Sequence, residues 1–594
     1  MDLDSALREH FGFPAFRPGQ REACDAALRG RDVTVVMPTG SGKSLCYQLP
    51  ALLRADLTIV VSPLVALMQD QVEALRARGL GGRVALVNAQ QDGEQNAATL
   101  ERASAGELRL LYVAPERFSS PGFVERLREV PIGLFVVDEA HCVSQWGHDF
   151  RPDYFRLADA ARYLGARSIV ASTATATPRV AKDIVRRLGL REPLEVATGF
   201  DRPNLSWSVA RPKPQDKWRL LARELTRPGA LPAIVYAGTR AGTQEIAADL
   251  AEALGEEVVT YHAGLDRERR AAAQRRFLAD EVRVVVATNA FGMGIDKPNV
   301  RTVVHATAPS SLEAYYQEAG RGGRDGAPAR ALLLAEARDK ALHVHFIRRD
   351  ELDEQLSGRV AALLAARSDE RGRFALELSI LAGGAGCSPE QARAVIGHLA
   401  SAGVVEPSPA APDRLAGRLA RPFDRRAEGL CRSAAAEGSR ARWRQYREIW
   451  SYVEGGKCRR REILRHFGDH SEPSAAGPCC DVCDGGLLPE LAPPDPASFG
   501  DLDEAIAGVV ASARPAAGRT TCAEILHGAR TKKITRNSYD GLPAYGGFSH
   551  LRRADIVERI DALIAAGRLE SSSGPYPVLG VSPAYPAKAP LAAA

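Results

Sequence analysis

A glycine-rich turn near the start of the chain constrains the fold more than any other feature. The turn Met37–Ser44 follows the apolar run Val33–Val36 and leads into the helical pattern Leu45–Leu49. Such a turn between a strand and a helix cradles phosphates, because its backbone N–H groups and the positive end of the helix dipole point at them. We expect Lys43 to contact the β- and γ-phosphates of a nucleotide and Ser44 to ligate Mg²⁺. An ordinary turn is the alternative, since the strict pattern begins with glycine and this one begins with methionine.

Two adjacent carboxylates come directly after a second apolar run. Asp138 and Glu139 follow Leu134–Val137, and a buried strand that ends in acids suits a parallel sheet whose strand ends face a ligand. We expect Asp138 to hold the Mg²⁺ shell and Glu139 to orient and deprotonate the water that attacks the γ-phosphate. A solvated acidic loop is the alternative. Together with the Lys43 turn, the pair predicts a nucleoside triphosphatase.

Length and composition fit a multidomain chain without a membrane segment. At 594 residues, a prior of about 150 residues per domain predicts about three to five domains. No apolar run approaches the roughly 20 residues that span a bilayer, and the N-terminus lacks the basic and apolar stretches of a signal peptide. A cytoplasmic protein without a membrane partner is therefore expected. Ten cysteines in a chain this long favour reduced thiols or a metal site over a disulfide framework.

Short β-rich runs alternate with helical patterns through the first part of the chain. This alternation is typical of parallel sheets with crossover helices. The runs are Leu57–Val61, Leu108–Val113, Leu134–Val137 and Ser168–Ser172, then Ala233–Tyr236, Glu257–Thr260, Val282–Ala287, Thr302–His305 and Arg330–Leu334. Because the pattern restarts after Pro203, we predict two tandem α/β lobes over residues 1–200 and 201–348.

After about residue 348 the strand runs that mark the two lobes disappear, and helical periodicity takes over. The segment 349–440 is interpreted as a helical insertion in which a helix after Ser388 and the short run Gly403–Val405 outline a winged helix, with a plain helical insert as the alternative. A metal-binding region is expected over 441–487. A Pro-rich, acidic linker follows over 488–500. A compact helical unit with a final β-run covers 501–583, and the Ala- and Pro-rich tail 584–594 is predicted to be disordered.

The second lobe carries two arginines in place of a phosphate turn. Arg321 and Arg324 follow Gln317, and we expect them to reach across the cleft as arginine fingers onto a γ-phosphate bound by the first lobe. The cleft would then close on ATP and open on ADP, so that nucleotide state becomes relative motion of the lobes.

An ordered series of motifs over almost the whole chain resembles RecQ-family DNA helicases of the second helicase superfamily. The series is Phe16–Gln20, Met37–Ser44, Ser62–Leu64 with Asp70 and Gln71, Ala114–Arg117, Asp138–His141, Ser172–Thr175, Tyr236–Arg240, Tyr261–Gly264, Ala287–Asp296 and Tyr315–Gly326. The resemblance implies two RecA-like lobes, a helical zinc-binding region and a C-terminal winged helix. It implies catalytic roles for Lys43, Asp138, Glu139, His141, Gln317, Arg321 and Arg324. Nucleotide contacts are implied for Arg17, Gln20, Thr39, Gly40, Ser41, Gly42, Lys43, Ser44 and Asp296, with adenine read by Arg17 and Gln20.

The segment after His141 resembles the aromatic-rich loop of the family, which implies that it senses single-stranded DNA and signals to the ATP site. Trp146 and Phe150 offer flat apolar faces for base stacking, worth about 1–3 kcal/mol per base, and Arg151 offers a charge for phosphate. A Trp146 side chain packed in the core is the alternative. The neighbouring Gly147 and His148 suit an exposed loop better than a buried one.

Four cysteines in the second half have spacing suited to zinc. Cys458 is followed by Cys479, Cys480 and Cys483, and a helical Cys with a C-x-x-C cluster suits tetrahedral thiolate zinc. The family usually has C-x-x-C-x-x-C, but its first position here is glycine. Cys479 is therefore the doubtful ligand. The candidates to replace it are His466, His470 and Cys431, and a degenerate site with free thiols is the further alternative.

The region around the cysteines is strongly basic. From Arg418 to Arg465 there are 14 Lys and Arg against 6 Asp and Glu, a local charge of +8. Such a segment is an electrostatic footprint for a phosphate backbone, with a solvated helical face as the alternative. In the last unit, which resembles the family's winged helix, Lys532, Lys533 and Arg536 are expected to contact duplex phosphates.

The whole pattern predicts an ATP- and Mg²⁺-dependent DNA helicase with bound Zn²⁺. By resemblance it moves 3′ to 5′ on single-stranded DNA and unwinds duplexes in recombination and repair. Expected partners are single-stranded and duplex DNA and single-strand-binding and recombination proteins, for a nucleoid-associated monomer. An RNA helicase on the same lobes is the nearest alternative, and a zinc and winged-helix DNA-binding protein with a vestigial ATPase is the second.

Overall fold

A computed structural model describes most of the chain as two compact units. The described residues are 2–88, 91–119, 121–144, 154, 157–212, 214–292, 295, 297–349, 351–353, 355–408, 414–488, 502–529, 531–549, 551–573 and 577–582. The first unit comprises residues 2–211 and 222–488, and the second comprises Pro212–Leu221 with the described residues from 502 onward. No helix in these ranges is long and apolar enough to cross a bilayer.

The first lobe is a seven-stranded, fully parallel sheet with strand order β3-β4-β2-β5-β6-β1-β7. Its strands are β1 (Val33–Val36), β2 (Leu57–Val61), β3 (Val84–Val87), β4 (Leu110–Val113), β5 (Ile132–Asp138), β6 (Ser168–Thr173) and β7 (Leu194–Ala197). Its helices are α1 (Leu3–Phe11), α2 (Gln20–Leu28), α3 (Leu45–Leu53), α4 (Val65–Leu75), α5 (Gly93–Ser104), α6 (Pro121–Leu127), α7 (Leu157–Tyr163) and α8 (Pro178–Leu188).

Two hydrophobic cores cover the two faces of this sheet. Along β5, Phe135 and Val137 belong to one core and Leu134 and Val136 to the other, because successive side chains of a strand point to opposite faces. All seven residues of β5 are buried, which explains why a continuous apolar run and not an alternating one marked it in the sequence. Asp138 ends this strand at the carboxyl edge of the sheet, where open α/β sheets bind ligands.

The second lobe repeats the architecture with a six-stranded parallel sheet of order β10-β11-β9-β12-β13-β8. Its strands are β8 (Leu205–Ala210), β9 (Ala233–Tyr236), β10 (Val258–Tyr261), β11 (Val284–Ala287), β12 (Thr302–His305) and β13 (Ala329–Leu334). Its helices are α10 (Arg240–Leu254), α11 (Arg267–Leu278), α12 (Leu312–Ala319) and α13 (Ala337–Arg349), and the helix α9 (Pro214–Thr226) is divided between the two units at residue 221. The prediction of two parallel-sheet lobes is confirmed.

The segment after the second lobe has its own sheet, so the prediction that strands end there was wrong. It contains α14 (Leu356–Ala366), β14 (Arg373–Glu377), α15 (Leu378–Ala385), α16 (Pro389–Ser401), β15 (Val405–Ser408) and β16 (Arg414–Leu419). The strands are antiparallel in the order β14-β16-β15. In β14 only Phe374 and Leu376 are buried, between exposed residues, and the apolar run is only three residues long. The helices and this sheet enclose a separate core.

Two helices connect this segment to the cysteine cluster. They are α17 (Arg425–Glu454), whose first turn is capped by the Asp424 carboxylate, and α18 (Arg459–His466). α17 packs on α12, α13 and α16, and its Trp450 and Val453 join a core shared with the second lobe. The long helix therefore extends the second lobe and does not form a separate body.

The second unit is a small helical domain with a hairpin. Its elements beyond the linker are α19 (Leu502–Ser512), α20 (Arg519–His527), α21 (Lys532–Arg536), α22 (Arg553–Ala565), β17 (Leu569–Ser571) and β18 (Leu579–Val581). The strands pair antiparallel, and one core joins them to the helices. This is the arrangement of helices and a final β-run that the sequence indicated.

Candidate nucleotide site and zinc centre

The glycine-rich turn lies between β1 and α3, at the carboxyl edge of the first sheet. Gly40 and Gly42 have φ angles of +84° and +83°, a conformation that glycine adopts without steric penalty. A Cβ atom on Gly42 would lie 2.7 Å from the Gln20 side-chain nitrogen, so only glycine fits. The Lys43 ammonium donates to the Met37 carbonyl oxygen at 3.2 Å and therefore stays over the turn.

Arg17 and Gln20, the two expected adenine contacts, bind the turn itself in this structure. The Arg17 guanidinium donates to the Gly40 carbonyl oxygen at 2.6 Å. The Gln20 amide donates to the carbonyl oxygens of Ser41 and Gly42 at 3.0 and 3.1 Å, and its oxygen accepts from the Arg17 backbone N–H at 2.9 Å. Both side chains thus brace the shape of the phosphate turn and lie at the edge of the nucleotide site.

Asp138 and Glu139 form a buried acidic pair beside Lys43. Burial and the neighbouring Glu139 raise the pKa of Asp138 to about 7, while Lys43 opposes the shift. Burial lowers the pKa of Lys43, and Glu139 and Asp138 counteract that effect. Arg324 is a second cation near Lys43 and lowers its pKa further. Carboxylate oxygens such as those of Asp138 are the ligands that Mg²⁺ takes from proteins. The residues therefore fit Mg²⁺.

Glu139 has a left-handed backbone, which is uncommon for a residue with a side chain. Its φ and ψ are +48° and +47°, a conformation that costs about 1–2 kcal/mol outside glycine. Strain of this kind concentrates at functional sites, where the surrounding structure holds it. Here it turns the chain sharply from β5 into the short helix Ala140–Val143.

His141 connects the acidic pair to the next strand. Its Nδ1 atom lies 2.9 Å from the Thr173 hydroxyl, at the end of β6, and 3.3 Å from Glu139 Oε2. The histidine side chain is fully buried. Thr173 belongs to the motif Ser172–Thr175, one of the ordered series in the sequence. A movement of this segment would therefore reach Glu139 through a single side chain.

The two predicted arginine fingers occupy different environments. The Arg324 stem lies against the phosphate turn, since a Cβ atom on Gly40 would be 3.3 Å from Arg324 Cγ. Arg321 is 4% exposed and lies near Tyr236 within the second lobe. Gln317 is buried on α12. The structure thus places Arg324 against the phosphate turn of the first lobe, whereas Arg321 and Gln317 are buried in the second lobe.

Four of the predicted site residues cannot be placed. Trp146, Phe150 and Arg151 of the aromatic loop and Asp296 of the second lobe lie outside the described residues. The chain entering the aromatic loop is anchored at Ser144, whose hydroxyl donates to Asp183 at 2.8 Å.

The four cysteines meet in one cluster that includes Cys479. The sulfur atoms of Cys458, Cys479, Cys480 and Cys483 all lie within 4.8 Å of one another. Cys458 Sγ is 3.7 Å from Cys479 Sγ and 3.9 Å from Cys480 Sγ. Tetrahedral zinc with bonds of about 2.3 Å separates its sulfur ligands by about 3.8 Å. The donor set and its spacing therefore fit Zn²⁺.

Two of the alternative zinc ligands, His466 and Cys431, contact other groups. His466 Nε2 lies 3.0 Å from Glu313 Oε1, and Cys431 is buried in the core around β14–β16. Around the cluster, the Arg459 backbone N–H donates to Cys480 Sγ at 3.4 Å. Burial raises the pKa of the Cys480 thiol, but hydrogen bonds led by that from Arg459 outweigh it and leave the pKa lowered. A lowered thiol pKa favours the thiolate that binds metal.

The cysteine cluster also closes the edge of the second sheet, which the sequence did not reveal. Cys480 pairs in parallel with Trp207 on the edge strand β8. The Trp207 N–H donates to the Cys479 carbonyl at 3.1 Å, and the Asp481 N–H donates to the Trp207 carbonyl at 3.0 Å. An open strand edge would otherwise present unpaired backbone groups, so the cysteine loop is an integral part of the second lobe.

Sequence reasoning also missed Arg202 and Arg460, which lie where the two lobes meet. Arg202 contacts backbone oxygens of both lobes, and the buried Arg460 holds the segment that carries it. Their only sequence signal is position: Arg202 lies in the junction Asp201–Asn204, and Arg460 lies two residues after Cys458.

Family comparisons match four successive parts of the chain. Residues 17–184 match the DEAD/DEAH box helicase family and residues 216–326 match the helicase conserved C-terminal domain. Residues 424–484 match the RecQ zinc-binding family and residues 502–588 match the RQC domain.

Curated relatives agree over most of the length. ATP-dependent DNA helicase RecQ of Bacillus subtilis is 32% identical over 97% of this chain and 82% of its own. The probable ATP-dependent DNA helicase RecS of the same organism is 33% identical over 81% of this chain and 92% of its own. ATP-dependent DNA helicase RecQ of Pasteurella multocida is 43% identical over 58% of this chain and 54% of its own. With a cysteine cluster that fits zinc and two parallel-sheet lobes around a phosphate turn, the chain belongs to the RecQ family of ATP-dependent DNA helicases.

Proposed function

We propose that this chain hydrolyses ATP between its two lobes to move 3′ to 5′ along single-stranded DNA, and that it separates duplexes during recombination and repair. The observation that carries the proposal is the contact of the second lobe's Arg324 with the first lobe's Gly40. The contact lies directly beside Lys43 and the two carboxylates. A group bound to the turn would therefore touch both lobes, as a nucleotide-driven motor requires.

We assign a separate role to each group around the cleft. Lys43 and the N–H groups of the turn would bind the β- and γ-phosphates, and Ser44 and Asp138 would hold Mg²⁺, which when bound neutralises phosphate charge. Glu139 would orient the attacking water and accept its proton. Arg324 would stabilise charge on the γ-phosphate, with Arg321 and Gln317 positioned behind it. Arg17 and Gln20 would contact adenine from the edge of the turn.

The DNA strand is proposed to act on this cleft through the loop after His141. Trp146 and Phe150 would stack with bases and Arg151 would contact a phosphate. The hydrogen bond between His141 and Thr173 supports the proposal, because it joins the start of that loop to the end of β6. Binding of a strand could then change the orientation of Glu139.

We further propose the domain division 1–200, 201–348, 349–440, 441–487 and 501–583. The insertion 349–440 is assigned as a winged helix, because three helices pack on an antiparallel sheet of order β14-β16-β15. Cys458, Cys479, Cys480 and Cys483 would hold one structural zinc ion. The protein is proposed to act as a monomer on chromosomal DNA in the cytoplasm, with single-strand-binding and recombination proteins as partners.

Strand displacement tests the proposal. Duplexes with a 3′ tail, with a 5′ tail and with blunt ends would be incubated with purified protein, with and without ATP. We expect separation of the 3′-tailed DNA duplex with ATP only. Equal separation of the 5′-tailed duplex would contradict the polarity, and a preference for RNA tails over DNA tails would favour an RNA helicase instead.

A further inference from the structure

The Arg202 side chain bonds to both lobes at the nucleotide cleft. It lies in the junction between β7 and β8. Its guanidinium donates to the carbonyl oxygens of Gly320 and Gly322, the residues on either side of Arg321, at 2.8 Å each. It also donates to the Thr39 carbonyl oxygen of the phosphate turn at 3.2 Å. The single guanidinium group of Arg202 therefore forms hydrogen bonds to both lobes, beside the phosphate turn.

The partners of this arginine are neutral oxygens, which is unusual for a largely buried charge. Within the described part of the chain its hydrogen bonds all go to backbone carbonyls, including that of Gly323 at 3.2 Å, and burial lowers the pKa of Arg202. Burying a cation without a carboxylate is unfavourable, so stability alone does not explain the residue. The planar fork can satisfy several oxygens in a fixed geometry, which a lysine cannot.

The loop Gly320–Ala327, which carries Arg321 and Arg324 and is called the finger loop, lies close to the junction Asp201–Asn204. Asn204 donates to the carbonyl oxygens of Gly323 and Ala327 at 2.8 and 2.7 Å. A Cβ atom on Gly323 would lie 2.4 Å from the Asn204 side-chain nitrogen, and Gly323 has φ of +58°. Any larger residue there would push the loop, and with it Arg324, away from the phosphate turn.

The segment Cys458–Cys483, which contains α18 and the four cysteines and is called the zinc module, contacts the backbone of the same junction. Arg460, which is 1% exposed, donates to Asp201 Oδ1 at 2.6 Å and to the Arg202 carbonyl oxygen at 2.7 Å. Phe200 stacks on Phe467 with ring centroids 4.4 Å apart. The junction, the finger loop and the zinc module are thus joined by several contacts, whereas Arg202 reaches the first lobe through Thr39.

We propose that Arg202 is a positioning residue that sets the distance between the phosphate turn and the finger loop, and that the zinc module acts on ATP hydrolysis through it. When the cleft opens, the bond to Thr39 breaks and the bonds to the finger loop remain. When the cleft closes, Arg202 docks on the turn and brings Arg324 to the γ-phosphate. The inference rests on the proposed ATP-driven closure and names the residue that sets its end point.

Steady-state kinetics of Arg202→Lys test this role, with Arg211→Lys at the end of β8 as the matched control. We expect kcat for DNA-stimulated ATP hydrolysis to fall at least about tenfold while KM for ATP changes less than about threefold. Zinc content, affinity for single-stranded DNA and melting temperature should stay at wild-type values. A wild-type kcat in Arg202→Lys would overturn the inference, and so would a joint loss of kcat, zinc and melting temperature, which marks a purely structural residue.

A double-variant cycle tests the route from the zinc module. Arg460→Lys should lower kcat with its zinc retained, and Arg202→Lys/Arg460→Lys should be no slower than Arg202→Lys alone, since residues that act as a unit are not additive. Fully multiplicative losses would contradict the shared route. If Arg460→Lys loses zinc, Asp469→Ala replaces it, because it removes the carboxylate that accepts from the Phe200 N–H at 2.9 Å. A wild-type protein without ATPase would instead refute the proposed function.

Discussion

His141 Nδ1 lies 2.9 Å from the Thr173 hydroxyl, and this contact joins the segment that follows β5, next to the Asp138–Glu139 pair, to the end of the neighbouring strand β6. Both side chains are buried, and the same Nδ1 atom lies 3.3 Å from Glu139 Oε2. A hydrogen bond in such a site is strong and costly to leave unmade. The contact is therefore suited to transmit a small displacement between strand ends β5 and β6.

Thr173→Val should uncouple hydrolysis from strand separation. Valine keeps the shape of threonine and removes the hydroxyl that His141 contacts. We expect the number of base pairs separated per ATP molecule hydrolysed to fall about tenfold. The rate of ATP hydrolysis itself should fall less. The control is Ser168→Ala at the other end of β6, which should keep the wild-type ratio. An unchanged ratio in Thr173→Val would contradict the coupling role.

Lys43→Ala should abolish ATP hydrolysis and leave DNA binding intact. The ammonium lies over the phosphate turn, so its loss should lower kcat by more than about a hundredfold. Fluorescence anisotropy with a labelled oligonucleotide should give the wild-type affinity, as should the surface control Lys182→Ala. Loss of hydrolysis and DNA binding together would mean that Lys43 supports the structure and not a phosphate.

Zinc analysis of cysteine variants should identify the ligand set. Cys479→Ser and Cys480→Ser should each reduce bound zinc below about half an equivalent, because a structural site needs four ligands. Cys431→Ser, in a separate core, should retain one equivalent. Full zinc in Cys479→Ser would exclude that residue and reopen the question of the fourth ligand.

Acid should destabilise the insertion through His398. Burial, with a smaller effect of Arg442, lowers the pKa of His398 from 6.5 to about 4. The unfolded chain therefore binds more protons between pH 6.5 and 4, so stability is complete above 6.5 and falls as the pH decreases through this window. From pH 7 to 5 the loss from this group should be about 1–2 kcal/mol.

Urea unfolding at the two pH values measures this loss, with a probe in the insertion. His398→Gln cannot take up the proton, so its stability should change less with pH than that of the wild type. Equal pH dependence in both proteins would show that His398 is not protonated on unfolding.

The parallel lobes could be predicted from the sequence because burial on both faces leaves continuous apolar runs such as Leu134–Val137. Strand β14 could not, since its apolar run is only the three residues Phe374–Leu376 between two charged residues, and Ala375 in the middle is exposed. The phosphate turn and the acids were visible because their chemistry requires neighbours in sequence.

Contacts between distant residues remained hidden. Arg202 bonds to Thr39 and to Gly320, which are 163 and 118 residues away, and no local pattern marks such a partner. Cys479 was doubtful for a similar reason. Adjacent cysteines seldom bind the same metal ion, and the sequence does not show how the chain folds around them. In the fold, Cys480 pairs with Trp207 and the four sulfur atoms come together.

The rate of ATP hydrolysis with and without single-stranded DNA tests the central claim most directly. We predict that DNA raises kcat of the wild-type protein at least about tenfold and that Glu139→Gln lowers the stimulated rate by more than about a hundredfold. Glu139→Gln should still bind ATP, since the amide keeps the size of the carboxylate. A wild-type protein that hydrolyses no ATP in the presence of DNA would contradict the account.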